Sequence, residues 1–175
     1  MKKRILWITE TAVMLALLVT LQALTKSAGQ YVTGSCVNLI LAVTALAAGL
    51  GSGAAVALLS PFFAFLLGIG PQVLPLVPAI SVGNLVYVLL LWGIAGKSLH
   101  SLPRKLLAWL GAAGGKALVL YLLVVQLLCG ILALPQKQVD LFTAMFSWPQ
   151  LVTALAGGGV ALLAVPIVRK ALGKS

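Results

Sequence analysis

The stretch QYVTGSCVNLILAVTALAAGLGSGAAVALLSPFFAFLLGIGPQVLPLVPAISVGN, residues 30–84, decides the fold. It holds two apolar runs joined by GLGSG (residues 49–53), a proline-rich crossing GIGPQVLPLVP (residues 68–78), and the Gly83-Asn84 pair inside a third apolar run. Runs this apolar, separated by glycine and proline rather than by charged loops, fit helices that cross a bilayer and reverse at its faces. Polar side chains are then the informative ones, because a polar group in hydrocarbon costs several kcal/mol unless it finds a partner. We read those of this stretch as one wall of a small-molecule site that opens outward.

The rest of the chain extends the pattern. Of 175 residues, 62% are hydrophobic and only Glu10 and Asp140 are acidic. Mean hydropathy is +1.16. A soluble domain carries roughly 25% charged residues, against 8% here. At about 20 residues per crossing, the length accommodates a single domain, residues 1–175, built as an all-α bundle of six transmembrane helices. The expected spans are 5–24, 32–50, 54–68, 76–95, 106–128 and 151–168. MKKR before the first run also matches a secretory signal peptide, but Glu10 inside the run and the lack of a small-x-small site before Gly29 favour a retained span.

The basic residues set the orientation. Nine of the twelve lie in three clusters: Lys2, Lys3 and Arg4; Lys97, Arg104 and Lys105; Arg169, Lys170 and Lys174. On the six-span map all nine fall on one side, with Lys26 and Lys137 opposite and Lys116 within a span. Basic residues of short loops stay cytoplasmic, so both termini are expected inside and the 30s, 70s and 140s outside. The net charge of +10 is then topological. Anionic lipid headgroups are sufficient company for it, and no nucleic-acid partner is implied.

Composition excludes most chemistry. Gly93-Ile94-Ala95-Gly96-Lys97-Ser98 looks like a phosphate-cradling loop, but the glycine needed five positions before Gly96 is Leu91, and the segment follows an apolar helix rather than a strand. His100 is the lone histidine, placed in a basic loop, and offers no base to a nucleophile at membrane depth. Two acids on opposite sides cannot form a dyad or hold magnesium. Cys36 and Cys129 are too few for zinc and read as small hydrophobes, with a disulfide between them conceivable. We therefore expect neither an enzyme nor a cofactor.

The candidate binding residues are the polar ones of the outer half. Asn38 and Asn84 carry amides suited to a heterocyclic or amide-bearing ligand, and equally to interhelical bonding. Lys116, about ten residues into its span, has two readings: a counter-charge for an anionic ligand or a partner's carboxylate, or a lysine that snorkels to the cytoplasmic interface. Gln30, Tyr31 and Thr33 precede span 2, and Gln126 ends span 5. Trp148 and Gln150 open span 6, where tryptophan is either an interfacial anchor or a stacking wall. Tyr87 and Tyr121 read as core, belt or site. Val139, Phe142, Met145 and Phe146 recur at helical spacing, which predicts a short interfacial helix or lid.

Span 1 contains Ala12-Val13-Met14-Leu15-Ala16, small residues one turn apart that give a flat face for another helix. With that motif, the size, the six spans and the absent ATPase motif, the chain resembles the S components of energy-coupling factor (ECF) vitamin transporters. The resemblance implies a substrate-capture subunit of an ECF-type ABC importer in a prokaryotic plasma membrane. Its partners would be a transmembrane T subunit, docked on Ala12 and Ala16, and two cytoplasmic ATPases. It implies a vitamin-like solute held near the outer surface by Gln30, Tyr31, Thr33, Asn84, Gln126, Trp148 and Gln150. No motif of the riboflavin, thiamine or biotin carriers stands in the chain, so the solute stays open. Two rival readings are a stand-alone secondary transporter, with Glu10 the only acid placed for ion coupling, and a membrane assembly factor without ligand.

Overall fold

A computed structural model describes residues 2–95 and 101–173. Residues 96–100, with Lys97, His100 and the GKS triplet, and Lys174 lie outside the described residues. Among the described residues the chain is helical, without a strand. We number the helices α1 (Lys2–Thr25), α2 (Gln30–Ala48), α3 (Leu50–Leu66), α4 (Leu76–Ala95), α5 (Leu102–Ile131), α6 (Gln136–Phe146) and α7 (Trp148–Ala171). Five helical stretches are long and apolar enough to cross a membrane: Lys3–Ala28, Gln30–Ala48, Leu76–Ala95, Leu102–Ile131 and Gln136–Ala171. The helix Leu50–Leu66 is apolar but has 17 residues. At 1.5 Å per residue it is about 26 Å long, a few ångströms short of a bilayer's hydrocarbon core.

Local chemistry explains the breaks. The α2–α3 reversal needs one residue, Gly49, at φ 110° and ψ 170°, a conformation open only to glycine. From the sequence all of GLGSG reads as the turn; in the structure α3 is already helical from Leu50. Gly53 serves packing: a Cβ there would lie 2.9 Å from the Ala45 Cα and 3.0 Å from the Val88 side chain. Between α3 and α4 the chain is irregular through Pro71 and Pro75, with Gly68 and Gly70 at positive φ. Pro78 sits in the first turn of α4, where a missing N–H leaves no acceptor short.

Two helices deviate from regular winding. The end of α2, Thr44–Ala48, and the stretch Tyr121–Leu128 of α5 are π-helical. Beyond the latter, α5 continues as α-helix to Ile131, three residues past the expected end of span 5.

Helices α2, α4, α5 and α7 form the centre, and α3 packs on α4. Helix α1 lies against α2 and α3 and leaves most of its surface bare, including Ile5, Leu6, Ile8, Val13 and Leu17. Exposed large apolar residues recur on α3, α5 and α7. A surface of this kind suits lipid rather than water as the surrounding solvent.

The three glycines of α7 set how closely the centre packs. A Cβ on Gly157 would strike the Ser35 carbonyl and lie 2.7 Å from the Leu39 backbone nitrogen. Gly158 faces Trp109 and the Tyr87 hydroxyl, and Gly159 faces Trp109. Two tethers lock this crossing: Tyr87 Oη donates to the Ala154 carbonyl at 3.3 Å, and Trp109 Nε1 to that of Leu155 at 2.8 Å. Tyr87, fully buried, is therefore core.

Candidate functional site

A cavity of about 250 Å³ opens at the end of the bundle that carries residues 26–30, the 67–75 loop and α6. Its deepest polar residues come from three helices. Asn38 sits on α2, Asn84 on α4 and Lys116 midway along the 30-residue α5, and they are only 1%, 2% and 3% exposed. Lys116 Nζ donates to Asn38 Oδ1 at 2.6 Å and to Asn84 Oδ1 at 2.7 Å. It also stands 5.5 Å from the centre of the Tyr87 ring, within range of a cation–π contact. The lysine therefore points into the bundle and does not snorkel.

The amides are oriented by this contact. With both Oδ1 atoms turned to the ammonium, Asn38 Nδ2 donates to Thr153 Oγ1 at 3.3 Å, which links α7 to the group. Asn84 Nδ2 has no protein acceptor among the described residues. The result is a floor that offers hydrogen-bond donors, with neither carboxylate of the chain lining the cavity.

Above the floor the walls are mainly apolar: Val37, Pro61, Ala64, Phe65, Ile69, Val77, Ile80 and Phe146. The mouth is open, and three polar side chains hydrogen-bond across its rim. Gln30 Nε2 donates to the Met145 carbonyl at 2.5 Å, and Gln150 Nε2 reaches the same oxygen at 3.0 Å. Lys26 Nζ donates to the Gly68 carbonyl at 2.6 Å. Thr33 lines the cavity and bonds the Thr25 carbonyl at 2.8 Å, fixing the α1–α2 connection. Phe142 and Phe146 anchor α6 against Leu76, Ala79, Leu120 and Val124.

Of the residues singled out in the sequence, Gln30, Thr33, Asn38, Asn84, Lys116 and Gln150 thus meet around one cavity. Tyr31, Gln126 and Trp148 lie elsewhere. Tyr31 is 53% exposed, one position round the helix from Gln30. Gln126 is exposed on the π-helical stretch and donates to Tyr121 Oη at 2.9 Å. Trp148 is 65% exposed at the start of α7, as an interfacial anchor would be. Both cysteines are free thiols.

Other wall residues escaped the sequence reading. Gln22 and Ser60 line the cavity, and each has a buried side-chain oxygen, Oε1 and Oγ, without a hydrogen-bond partner. Ser60 precedes Pro61 in an apolar run, and Gln22 and Lys26 lie near the end of α1, where a polar residue reads as ordinary helix termination. Only their convergence in space marks them.

Ala12 and Ala16 lie on the bare face of α1 and are both exposed. On the inner face, a hydrogen bond of 2.9 Å between the Thr11 and Ser52 hydroxyls holds α1 to α3. Among the described residues, no group of three or more His, Cys, Asp or Glu is placed to hold a metal ion.

No family model, no curated protein and no solved structure matches this chain.

Proposed function

We propose that this chain is the substrate-capture subunit of an ECF-type importer, a six-span bundle with both termini in the cytoplasm of a prokaryotic cell. The observation that carries this reading is the cavity, floored by Asn38, Asn84 and Lys116 and placed at the end of the bundle that the charge distribution assigns to the outer face. Ligand cavities typically span about 300–1,000 Å³; at about 250 Å³, this one suits a small solute. The bare α1 face with Ala12 and Ala16 supports the second half of the proposal, docking on a T subunit.

In this mechanism a solute enters from outside and the mouth closes over it through Gln30, Lys26 and Gln150. The T subunit, driven by two ATPases, then tips the whole bundle so that the mouth faces the cytoplasm. The chain's own residues bind, orient and enclose the solute, and the free energy of transport comes from ATP hydrolysed elsewhere.

The test is co-expression with the T subunit and ATPases of the same cell, followed by affinity capture and by uptake into proteoliposomes. The expected result is a stable complex and uptake that requires ATP. Uptake by the isolated chain, driven by a proton gradient, would replace this reading with that of a secondary transporter.

A further inference from the structure

We infer that the solute held in this cavity is a small monocarboxylate with an apolar body, an assignment that rests on the capture reading above. The argument starts at the floor. An ammonium group has three donors, and Lys116 commits two of them to Asn38 Oδ1 and Asn84 Oδ1. Those amide oxygens are neutral acceptors and leave the positive charge uncompensated. The chain's two carboxylates, Glu10 and Asp140, stand outside the cavity lining. Ionisable groups at membrane depth pair with one another or mark a ligand path, and here the charge that would pair has to arrive with the ligand.

Two further groups offer donors to such a ligand, while Gln22 Oε1, an unpartnered acceptor on the wall, faces the ligand's body away from the carboxylate or takes a hydroxyl there. Asn84 Nδ2 is turned away from the ammonium and has no protein acceptor among the described residues. Ser60, 1% exposed, lines the same cavity with its hydroxyl unpartnered. A carboxylate has two oxygens with about four lone-pair sites and accepts from several such donors at once.

Charge and size narrow the class. At the floor Lys116 alone faces the ligand, because Lys26, the cavity's other cation, is held at the mouth on the Gly68 carbonyl; one negative charge therefore pairs at depth, whereas a phosphomonoester carries about −1.5 to −2 near neutrality. A volume of about 250 Å³ lies just below the usual range of ligand cavities, about 300–1,000 Å³, and so suits a small solute. Phe65, Ile69, Ile80 and Phe146 then suit a compact ring or a short hydrocarbon body.

The test uses the full chain in lipid nanodiscs, with benzoate as probe, its uncharged isostere benzamide as comparison, and inorganic phosphate as competitor. Thermal unfolding and calorimetric titration are the readouts. We expect benzoate at millimolar concentration to raise the unfolding midpoint and to bind at least tenfold more tightly than benzamide, with phosphate displacing none of it. Lys116→Gln should abolish the benzoate response, and Lys137→Gln, on the exposed face of α6, should keep it. Asn84→Asp keeps the side-chain volume and places a carboxylate beside the ammonium, so it should fold and lose benzoate binding, which decides the matter even where Lys116→Gln does not fold.

No response to benzoate, equal binding of benzamide, tighter binding of phosphate, or undiminished benzoate binding by Asn84→Asp would each overturn the assignment. The two readings fail separately. A chain that binds benzoate through Lys116 yet never joins a T subunit keeps the carboxylate and loses the importer. One that imports a neutral solute under ATP does the reverse.

Discussion

At the scale of single residues, Asn38 and Asn84 make the same bond to Lys116 but differ in what else they hold. Asn38 also donates to Thr153 and so joins α2, α5 and α7, whereas Asn84 keeps its Nδ2 for the cavity. Replacing Asn38 by Ala strands a buried donor on Lys116 and an acceptor on Thr153, at about 1–3 kcal/mol for each unsatisfied group. Asn38→Ala should therefore lower the unfolding midpoint in detergent clearly more than Asn84→Ala does. Asn84→Leu should instead show in binding, with about tenfold or greater loss of retained solute by mass spectrometry, the scale of one hydrogen bond. Equal retention would make Asn84 a helix tie alone.

These residues were legible in the sequence because an amide or an ammonium inside an apolar run is conspicuous. Their mutual contact was not. Asn38, Asn84 and Lys116 are 46 and 32 residues apart along the chain, and spacing of that kind carries no geometry. Ser60 and Gln22 were missed for a related reason, since a hydroxyl can satisfy itself on its own helix and an amide near a helix end is ordinary.

At the scale of elements, the glycines separate into those that allow contact and those that do not. Gly157 presses against backbone atoms of α2, which cannot move aside as a flexible side chain can. Gly157→Ala should cost about 1–3 kcal/mol as overpacking. Gly114 on α5 has open space where a Cβ would stand. Gly114→Ala should be neutral, or stabilising by up to about 1 kcal/mol through helix propensity. Thermal unfolding of the two variants side by side checks the opposite signs. The helices themselves were readable from apolar runs and punctuation: α4 occupies the residues expected of span 4, and α6 appears where Val139, Phe142, Met145 and Phe146 recur. The length of α5 was not readable, because the π-helical winding of Tyr121–Leu128 leaves no break in an apolar run.

At the scale of the whole molecule, α1 is the least buried of the long helices described, its outer face bare along its length, and the capture reading gives that face a partner. Ala12 and Ala16 contact no buried core, so leucines there should leave the unfolding midpoint unchanged. The Ala12→Leu, Ala16→Leu double variant should nonetheless fail to retain the T subunit in affinity capture, because the close helix approach is lost. Normal capture of the T subunit would move the docking surface elsewhere on the bundle.

The carbonyl of Met145 receives two glutamine amides, one from α2 and one from the first turn of α7. A solute whose entry breaks both bonds should associate well below the encounter frequency of freely diffusing partners. Shortening either glutamine to alanine should therefore quicken capture and escape together, a change visible in stopped-flow traces even where the equilibrium constant barely moves.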